Sequence, residues 1–380
     1  MPQDQQNQVP SPVVLPLTGP PVLGCGSESK NSFCLTKGNL AYVSAQTGNL
    51  TDPKDYRHYT HSVDHLCNML DVQPQLIAHD SHPDYASTRF AIKFVSAQQQ
   101  LSPVQHHHAH MAACMAENDL TGPVIGITYD GMGLGTDGTM WGGEILLGDY
   151  SSFKRPFHFK PYPLPGGDRA TLYPERAAYS ALLHEYHGAE EPFSHLLPGL
   201  QDQPTRNLLR TTIQQRVRSP LSSSAGRLFD IAAAILGFTG SVQSPGQAAI
   251  WLQKLATQTV DEAFPYSLHD HQIDFGPMLK AIVDATTQGT DASLISAMFH
   301  NTLADATVAA STIIRDSECI NTVTLSGGVF HNELLSDLIT HRLRQKSFDV
   351  FHHNVLPPGD QSISLGQVAI TLARCHNTAS

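Results

Sequence analysis

Val124-Ile-Gly-Ile-Thr-Tyr-Asp-Gly-Met-Gly-Leu-Gly-Thr-Asp-Gly138 is the stretch on which the fold turns. Residues 124–129 are mostly β-branched, apolar or aromatic, the pattern of a strand buried on both faces. The glycines predict that this strand enters a Gly-rich turn at 130–138. Gly142-Gly-Glu-Ile-Leu-Leu-Gly148 then returns as its hairpin partner. Working outward, a second hairpin lies near the start: Ser32-Phe-Cys-Leu35 and Leu40-Ala-Tyr-Val-Ser44 flank the turn Lys37-Gly-Asn39. In the first half, helices are predicted at 52–70, opened by Thr51-Asp52-Pro53, and at 84–98, with a short strand at 75–79 between them. The second half reads as mainly helical over about 150–320. A buried strand follows at 321–325, running into Ser326-Gly-Gly-Val329, then a strand at 348–351 and a terminal helix at 362–373. Two hairpins, each leading on to helices, predict a duplicated α/β lobe.

The 380 residues carry a formal charge of −11 and are 41% hydrophobic. That is apolar enough to exclude global disorder and long enough for one large two-lobed unit or two to three domains. No stretch approaches the roughly 18 consecutive apolar residues of a membrane span. The polar, Gln-rich start does not read as a secretion signal. The negative charge argues against a nucleic-acid partner. The six cysteines, Cys25, Cys34, Cys67, Cys114, Cys319 and Cys375, form no C-x-x-C pair. This excludes a disulfide scaffold or zinc ribbon and fits a reducing cytoplasm. Residues 1–20 are expected to be a flexible arm and 21–120 a first lobe ending in a His-rich motif. Residues 121–380 are expected to be a second lobe with a helical insertion and the C-terminal helix.

That motif, Val104-Gln-His-His-His-Ala-His110, is the sharpest chemical signal. On a helix, His106 and His110 project from one face and share a cation; the plainer reading is a solvated His-rich helix start. Asp130 follows a buried strand and Asp360 lies in a Pro-Pro-Gly-Asp loop, where rigid elements present functional groups. Two His with two carboxylates suit iron or zinc. The glycines of 131–138, including Gly131 and Gly133, suit a backbone cradle for phosphate, against a plain hairpin turn. Gly327 and Gly328, between strand and helix, suit a phosphate or adenosine. Asp168, in Pro165-Gly-Gly-Asp168, and Asp230, in Ser224-Ala-Gly-Arg-Leu-Phe-Asp230, are candidate acceptors for ribose hydroxyls. Helix capping and a surface carboxylate are their plainer readings. Lys30 is a candidate cation beside an anion. No G-x-S-x-G elbow and no Walker P-loop occurs.

Together these motifs, with Leu325-Ser-Gly-Gly-Val-Phe-His-Asn332, Lys30-Asn31, His82-Pro-Asp-Tyr85 and Ser87-Thr-Arg89, resemble the C-terminal, TsaD-like domain of the hydrogenase-maturation carbamoyltransferases, the HypF family. The resemblance runs from about residue 21 to 374. It implies an α/β, actin-like ATPase fold of two RNase H-like lobes with a nucleotide in the cleft. It also implies a metal at His106, His110, Asp130 and Asp360, and a nucleotide contacted by Gly131, Gly133, Asp168, Gly226, Asp230, Gly327, Gly328 and Asn332. Lys30, His106 and His110 would be catalytic. In such a family, carbamoyl phosphate and ATP give carbamoyl-adenylate, and the carbamoyl group passes to the C-terminal cysteine of a HypE-type protein.

The resemblance also carries departures. The family's acylphosphatase, zinc-finger and YrdC-like domains precede this region, and with about 20 residues before the first strand they are expected to be missing. A separate YrdC-like adenylating protein would then supply carbamoyl-adenylate. Ser244-Pro-Gly246 stands where Tyr-Glu-Gly is usual, which removes a carboxylate and a backbone donor. Two rival readings are an O-carbamoyltransferase acting on a small molecule and a catalytically silent, nucleotide-binding assembly module. In a third, the His run merely buffers nickel.

Overall fold

The computed structural model describes residues 9–257 and 260–379. Its first sheet holds β1 (Val13–Val14), β2 (Val22–Gly24), β3 (Cys34–Lys37), β4 (Leu40–Val43), β5 (Leu76–Asp80) and β6 (Gln100–Val104), in the order β1-β4-β3-β2-β5-β6. The β2–β3–β4 meander is antiparallel, and β5 and β6 join it parallel. Helix α1 (Pro53–Leu70) connects β4 to β5. Asp52 caps it by accepting from the Lys54 amide at 2.7 Å, Pro53 occupies its first turn, and Asp71 ends it in the left-handed region. Tyr59, Val63, Leu66, Cys67 and Leu70 recur at helical spacing and are its buried face. Helix α2 (Ala86–Phe94) is shorter than the predicted 84–98. Helix α3 (His106–Glu117) follows β6.

The second sheet repeats this order. An antiparallel meander of β7 (Val124–Leu134), β8 (Met140–Gly148) and β9 (Phe153–Phe159) comes first. A short pair, β10 (Tyr162–Pro163) and β11 (Leu221–Ser222), attaches beside β8. Helices α4 (Asp168–Leu172), α5 (Pro174–Glu185), α6 (Gln203–Gln214), α7 (Ala225–Ile235) and α8 (Gln247–Leu255) follow. A hairpin, β12 (Ser267–His269) and β13 (Gln272–Asp274), extends the sheet beyond β9. Then come α9 (Gly276–Thr287), α10 (Ala292–Glu318), β14 (Thr322–Ser326), α11 (Glu333–Gln345), β15 (Asp349–Phe351) and α12 (Ile363–Ala379). Setting aside the peripheral strands, β4-β3-β2-β5-β6 and β9-β8-β7-β14-β15 are one topology used twice. This is the actin-like ATPase fold of two RNase H-like lobes.

Several expectations need correction. The Gly-rich stretch after Tyr129 is not a turn. β7 continues to Leu134, with a register shift between Tyr129 and Gly133, and the reversal falls at 136–138. The stretch 150–320 opens with β9 and includes four further short strands. The arm is not free throughout: Val13 pairs with Ala41, and Val13 and Leu15 are buried. The terminal helix leaves the lobe that the sequence assigned to it. α12 packs on β2, β5 and β3 of the first sheet, whereas α3 packs on β7, β14 and β8 of the second.

The two helices therefore exchange sheets, and they pack against each other as they do so. Every residue of α3 from His106 to Ala116 is buried, and four of these are alanine, which lets backbone approach from both sides. At Gly366 in α12, a Cβ would run into the backbone of Ala109. Among the described residues, no helix is long and apolar enough to cross a membrane. Gly366→Val is expected to push α12 off α3 and cost about 1–3 kcal/mol by overpacking. Urea unfolding measures this, and an unshifted midpoint would show that the helices separate freely.

Candidate metal and nucleotide site

The exchange of helices sets the site. His106 and His110 lie at the N-terminal end of α3, where Gln105 caps the helix by accepting from the His108 amide at 2.8 Å. Asp130 comes from the bulge in β7, and Asp360 from a single 3-10 turn, Asp360–Ser362, leading into α12. One ligand atom from each of the four residues lies within 4.8 Å of all the others. His106 Nε2 stands 3.4 Å from the Asp130 carboxylate, and His110 Nε2 3.7 Å; both are 3.9 Å from Asp360. Neither Nε2 has a hydrogen-bond partner, although both are buried.

Two observations show that a cation fits this donor set. Bonds of about 2.0–2.1 Å to tetrahedral zinc put neighbouring ligand atoms about 3.4 Å apart, close to the separations found. Asp80 adds a third buried carboxylate, accepting from His106 Nδ1 at 2.7 Å. Three carboxylates against two imidazoles leave a buried negative excess, which a divalent ion balances. The electrostatics agree. Burial works against a charged His106, but Asp80 and Asp130 raise its pKa well above the usual value. Burial works against an ionised Asp130, yet His106 and His110 hold it well below the usual carboxylate range. Asp360 is pushed up, by burial first and then by Asp130.

Sequence reasoning missed Asp80, whose bond to His106 Nδ1 fixes that ring with its Nε2 toward Asp130. The signal was present, since Asp80 ends buried strand β5 much as Ser326 ends β14. It also missed Tyr85, which burial and the charges of Asp80, Asp360 and Asp130 push well above its usual pKa, marking it as a neighbour of the cluster.

The glycines divide by role. At Gly133 a Cβ would meet the rings of His106 and His107 at 2.8 Å, so this glycine makes room for the His motif. Gly327 has φ +105°, and a side chain there would strike the Tyr129 carbonyl. The Gly328 amide donates to Asp130 at 2.9 Å, and the Gly327 amide donates to the Pro358 carbonyl at 2.7 Å. The Gly pair thus ties Asp130, and the loop that precedes Asp360, to the end of β14. Gly131 abuts Gly226 at the start of α7, where the Ser224 hydroxyl ties the Asp130 and Gly131 carbonyls to the helix.

Asp230, on α7, is buried and faces Arg227 at 3.0 Å without an aligned hydrogen bond; its Oδ2 has no other partner. Lys30 is exposed on the loop between β2 and β3, in a left-handed conformation. Burial first, then the charge of Lys30, lowers the pKa of His331. Asn332 is spent on the fold. Its oxygen accepts from the Leu335 amide at 3.0 Å, capping α11, and its Nδ2 meets His300 at 3.0 Å. A nucleoside contact from it is therefore not supported. The side chain of Asp168 lies outside the described residues, and the helix it begins is capped by Gly167.

Two outcomes are expected. His110→Ala and Asp360→Ala should each lose metal on dialysis while keeping a native circular-dichroism spectrum, because an incomplete ligand set binds orders of magnitude more weakly; full metal by elemental analysis in both would sink the assignment. Asp230 is pushed up to about 6 by burial, against the pull of Arg227. Its folded pKa lies above its unfolded one, so the folded state holds the extra proton and stability falls as pH rises from about 4 through 6. Asp230→Asn should therefore stabilise at pH 7, by at most about 3 kcal/mol, and flatten that slope. Equal stability of the two proteins at pH 7 would show that the carboxylate is already relieved.

Comparison with known proteins follows the same lines. The family model described as "Carbamoyltransferase, Kae1-like Domain, second subdomain" matches residues 126–367, and "HypF Kae1-like domain" matches 18–117. Carbamoyltransferase HypF2 of Cupriavidus necator is 37% identical over 97% of this chain and 48% of its own length. A carbamoyltransferase HypF homolog from the same organism is 36% identical, covering 91% of this chain and 90% of its own. The crystal structure of full-length HypF in its phosphate- and nucleotide-bound form superposes with a TM-score of 0.91 at 35% identity, covering 96% of this chain and 57% of that one. The chain spans about half the length of most of the curated relatives it matches. Fold and matched residues agree: the chain belongs to the HypF family and corresponds to its Kae1-like region.

Proposed function

We propose that this chain is a carbamoyltransferase of nickel–iron hydrogenase maturation. It would take the carbamoyl group of carbamoyl-adenylate, derived from carbamoyl phosphate and ATP, and pass it to the C-terminal cysteine of a HypE-type protein. The observation that carries the reading is the four-ligand cluster joined through Asp130 and Gly328 to the Gly pair. A complete donor set and a close-approach backbone adjoin in one place. The nucleotide-bound form of the full-length relative supports a nucleotide as the leaving portion.

Iron or zinc held by His106, His110, Asp130 and Asp360 would supply Lewis acidity toward a carbonyl or phosphate oxygen. The chain's own residues do the rest. Gly327 and Gly328, without side chains, would let the charged part of the donor approach the backbone, and Asp230 would offer its carboxyl, which faces Arg227, to a ribose hydroxyl. Lys30, exposed at the rim, adds positive charge facing His331. The acceptor sulfur, as thiolate, attacks the carbamoyl carbon; the C–S bond forms, the C–O bond to the adenylate phosphate breaks, and AMP leaves with the electron pair. The thiol proton is lost before attack.

The thiol comes from the partner in this reading. Cys25 is buried and pushed up to about 12 by desolvation, and Cys34 and Cys114 are raised by burial as well. None is a ready thiolate. Incubation with a HypE-type protein, ATP, carbamoyl phosphate and a YrdC-like protein should add one carbamoyl group to the partner's terminal cysteine, read by mass spectrometry. A Cys25→Ser, Cys34→Ser double variant should do the same. AMP formation with no modified partner peptide would defeat the transfer reading, and a carbamoylated cysteine on this chain would replace it with a covalent relay.

A further inference from the structure

Glu117 closes α3 at the end opposite His106, and its side chain has no solvent exposure. One carboxylate oxygen accepts from His353 Nδ1 at 2.8 Å. The other accepts from the amides of Asn354 at 2.8 Å and Val355 at 2.7 Å, and the Leu356 amide lies 3.3 Å from both oxygens. His353 Nε2 meets the Ser326 hydroxyl at 2.8 Å, and the same hydroxyl lies 3.3 Å from His110 Nδ1. A longer contact of 3.4 Å leads from it to the Pro358 carbonyl. Four buried groups thus run in series, Glu117–His353–Ser326–His110, ending on a residue of the metal cluster.

Such a series has a direction. An ionised carboxylate only accepts, and burial notwithstanding, His353 and the loop amides hold Glu117 below its usual pKa. A neutral His353 bonded to it carries its proton on Nδ1 and presents a bare Nε2. The Ser326 hydroxyl then donates to that nitrogen and offers its lone pair to His110. His110 in turn carries its proton on Nδ1, and its Nε2, facing Asp130 and Asp360, is left bare. Asp80 accepts from His106 Nδ1 directly; for His110 the acceptor is three bonds removed. We propose that Glu117 is a positioning residue of the cation site, acting through His353 and Ser326 to select the His110 tautomer that can bind metal.

Glu117→Gln tests this with one change of atom. The amide oxygen stays with the loop amides, so its NH₂ faces His353 and donates. Every bond in the series reverses, and His110 Nε2 acquires the proton. Two readouts apply to the full chain. In metal-free protein, nitrogen-15 imidazole spectra should show His110 protonated on Nδ1 in the wild type and on Nε2 in Glu117→Gln. Calorimetry with Zn²⁺ should show about 10- to 100-fold weaker binding in the variant, the usual effect of losing an outer-shell partner. Because Glu117 also anchors the loop before Asp360, Ser326→Ala separates the two roles. It cuts the series, so adding Glu117→Gln to it should weaken zinc binding little further. Equal losses with and without Ser326 would reduce Glu117 to a loop anchor and overturn the proposal, as would an Nε2-protonated His110 in the wild type. The zinc arm rests on the cluster being a cation site. If the wild type bound no zinc, that site reading would fall, while the metal-free spectra would still decide the tautomer.

Discussion

Three carboxylates and two imidazoles are enclosed together at the seam between the lobes, and the rest of the structure is arranged to hold them. Asp80, Asp130 and Asp360 would repel one another in so buried a place without positive charge among them. They come from β5, from β7 and from the turn before α12, so no local segment fixes their separation. Only the exchange of α3 and α12 between the two sheets brings all three to the same pair of rings. The close approach of Gly366 to Ala109 is therefore as much a condition of the site as any ligand, since Ala109 neighbours His110 in the chain.

The same geometry couples the site to both lobes. His106 is held by Asp80, which ends a strand of the first sheet, while Asp130 and the Gly pair belong to the second. A shift of one sheet against the other would lengthen the His106–Asp80 bond or the contact across the cluster. A cation bound there, by drawing ligands from elements of both sheets, would resist such a shift.

Local pattern made much of this legible. The His pair has helical spacing, the two hairpins have turn residues, and Asp130 and Asp360 read as short carboxylates at loop positions; Asp360 does open a turn, whereas Asp130 lies within β7 at its bulge. Tertiary demands hid the rest. Glycines from 131 to 135 read as a turn because glycine serves turns and close approaches alike. Here the need was room for the rings of His106 and His107 beside a bulged strand, which no sequence window contains. The terminal helix was assigned to its sequence neighbours, yet it packs on a sheet more than 250 residues earlier. Asp80 and Glu117 look like any carboxylate ending a strand or a helix. Their meaning lies in partners 26 and 236 residues away.

The direction from which a substrate arrives can also be argued. Within the cluster, His106 and His110 are sealed and Asp130 nearly so, whereas the Asp360 side chain keeps 21% of its surface. Around that edge stand Lys30 and His331, both exposed. On the proposed function, a charged donor would enter past Asp360. On that reading the acceptor sulfur would have to reach the rim from outside, because Cys34, in β3, and Cys25, just after β2, are packed in the core. A flexible protein tail ending in cysteine meets that demand better than a thiol fixed in the fold. A fixed thiol would have to be both buried enough to be positioned and exposed enough to ionise.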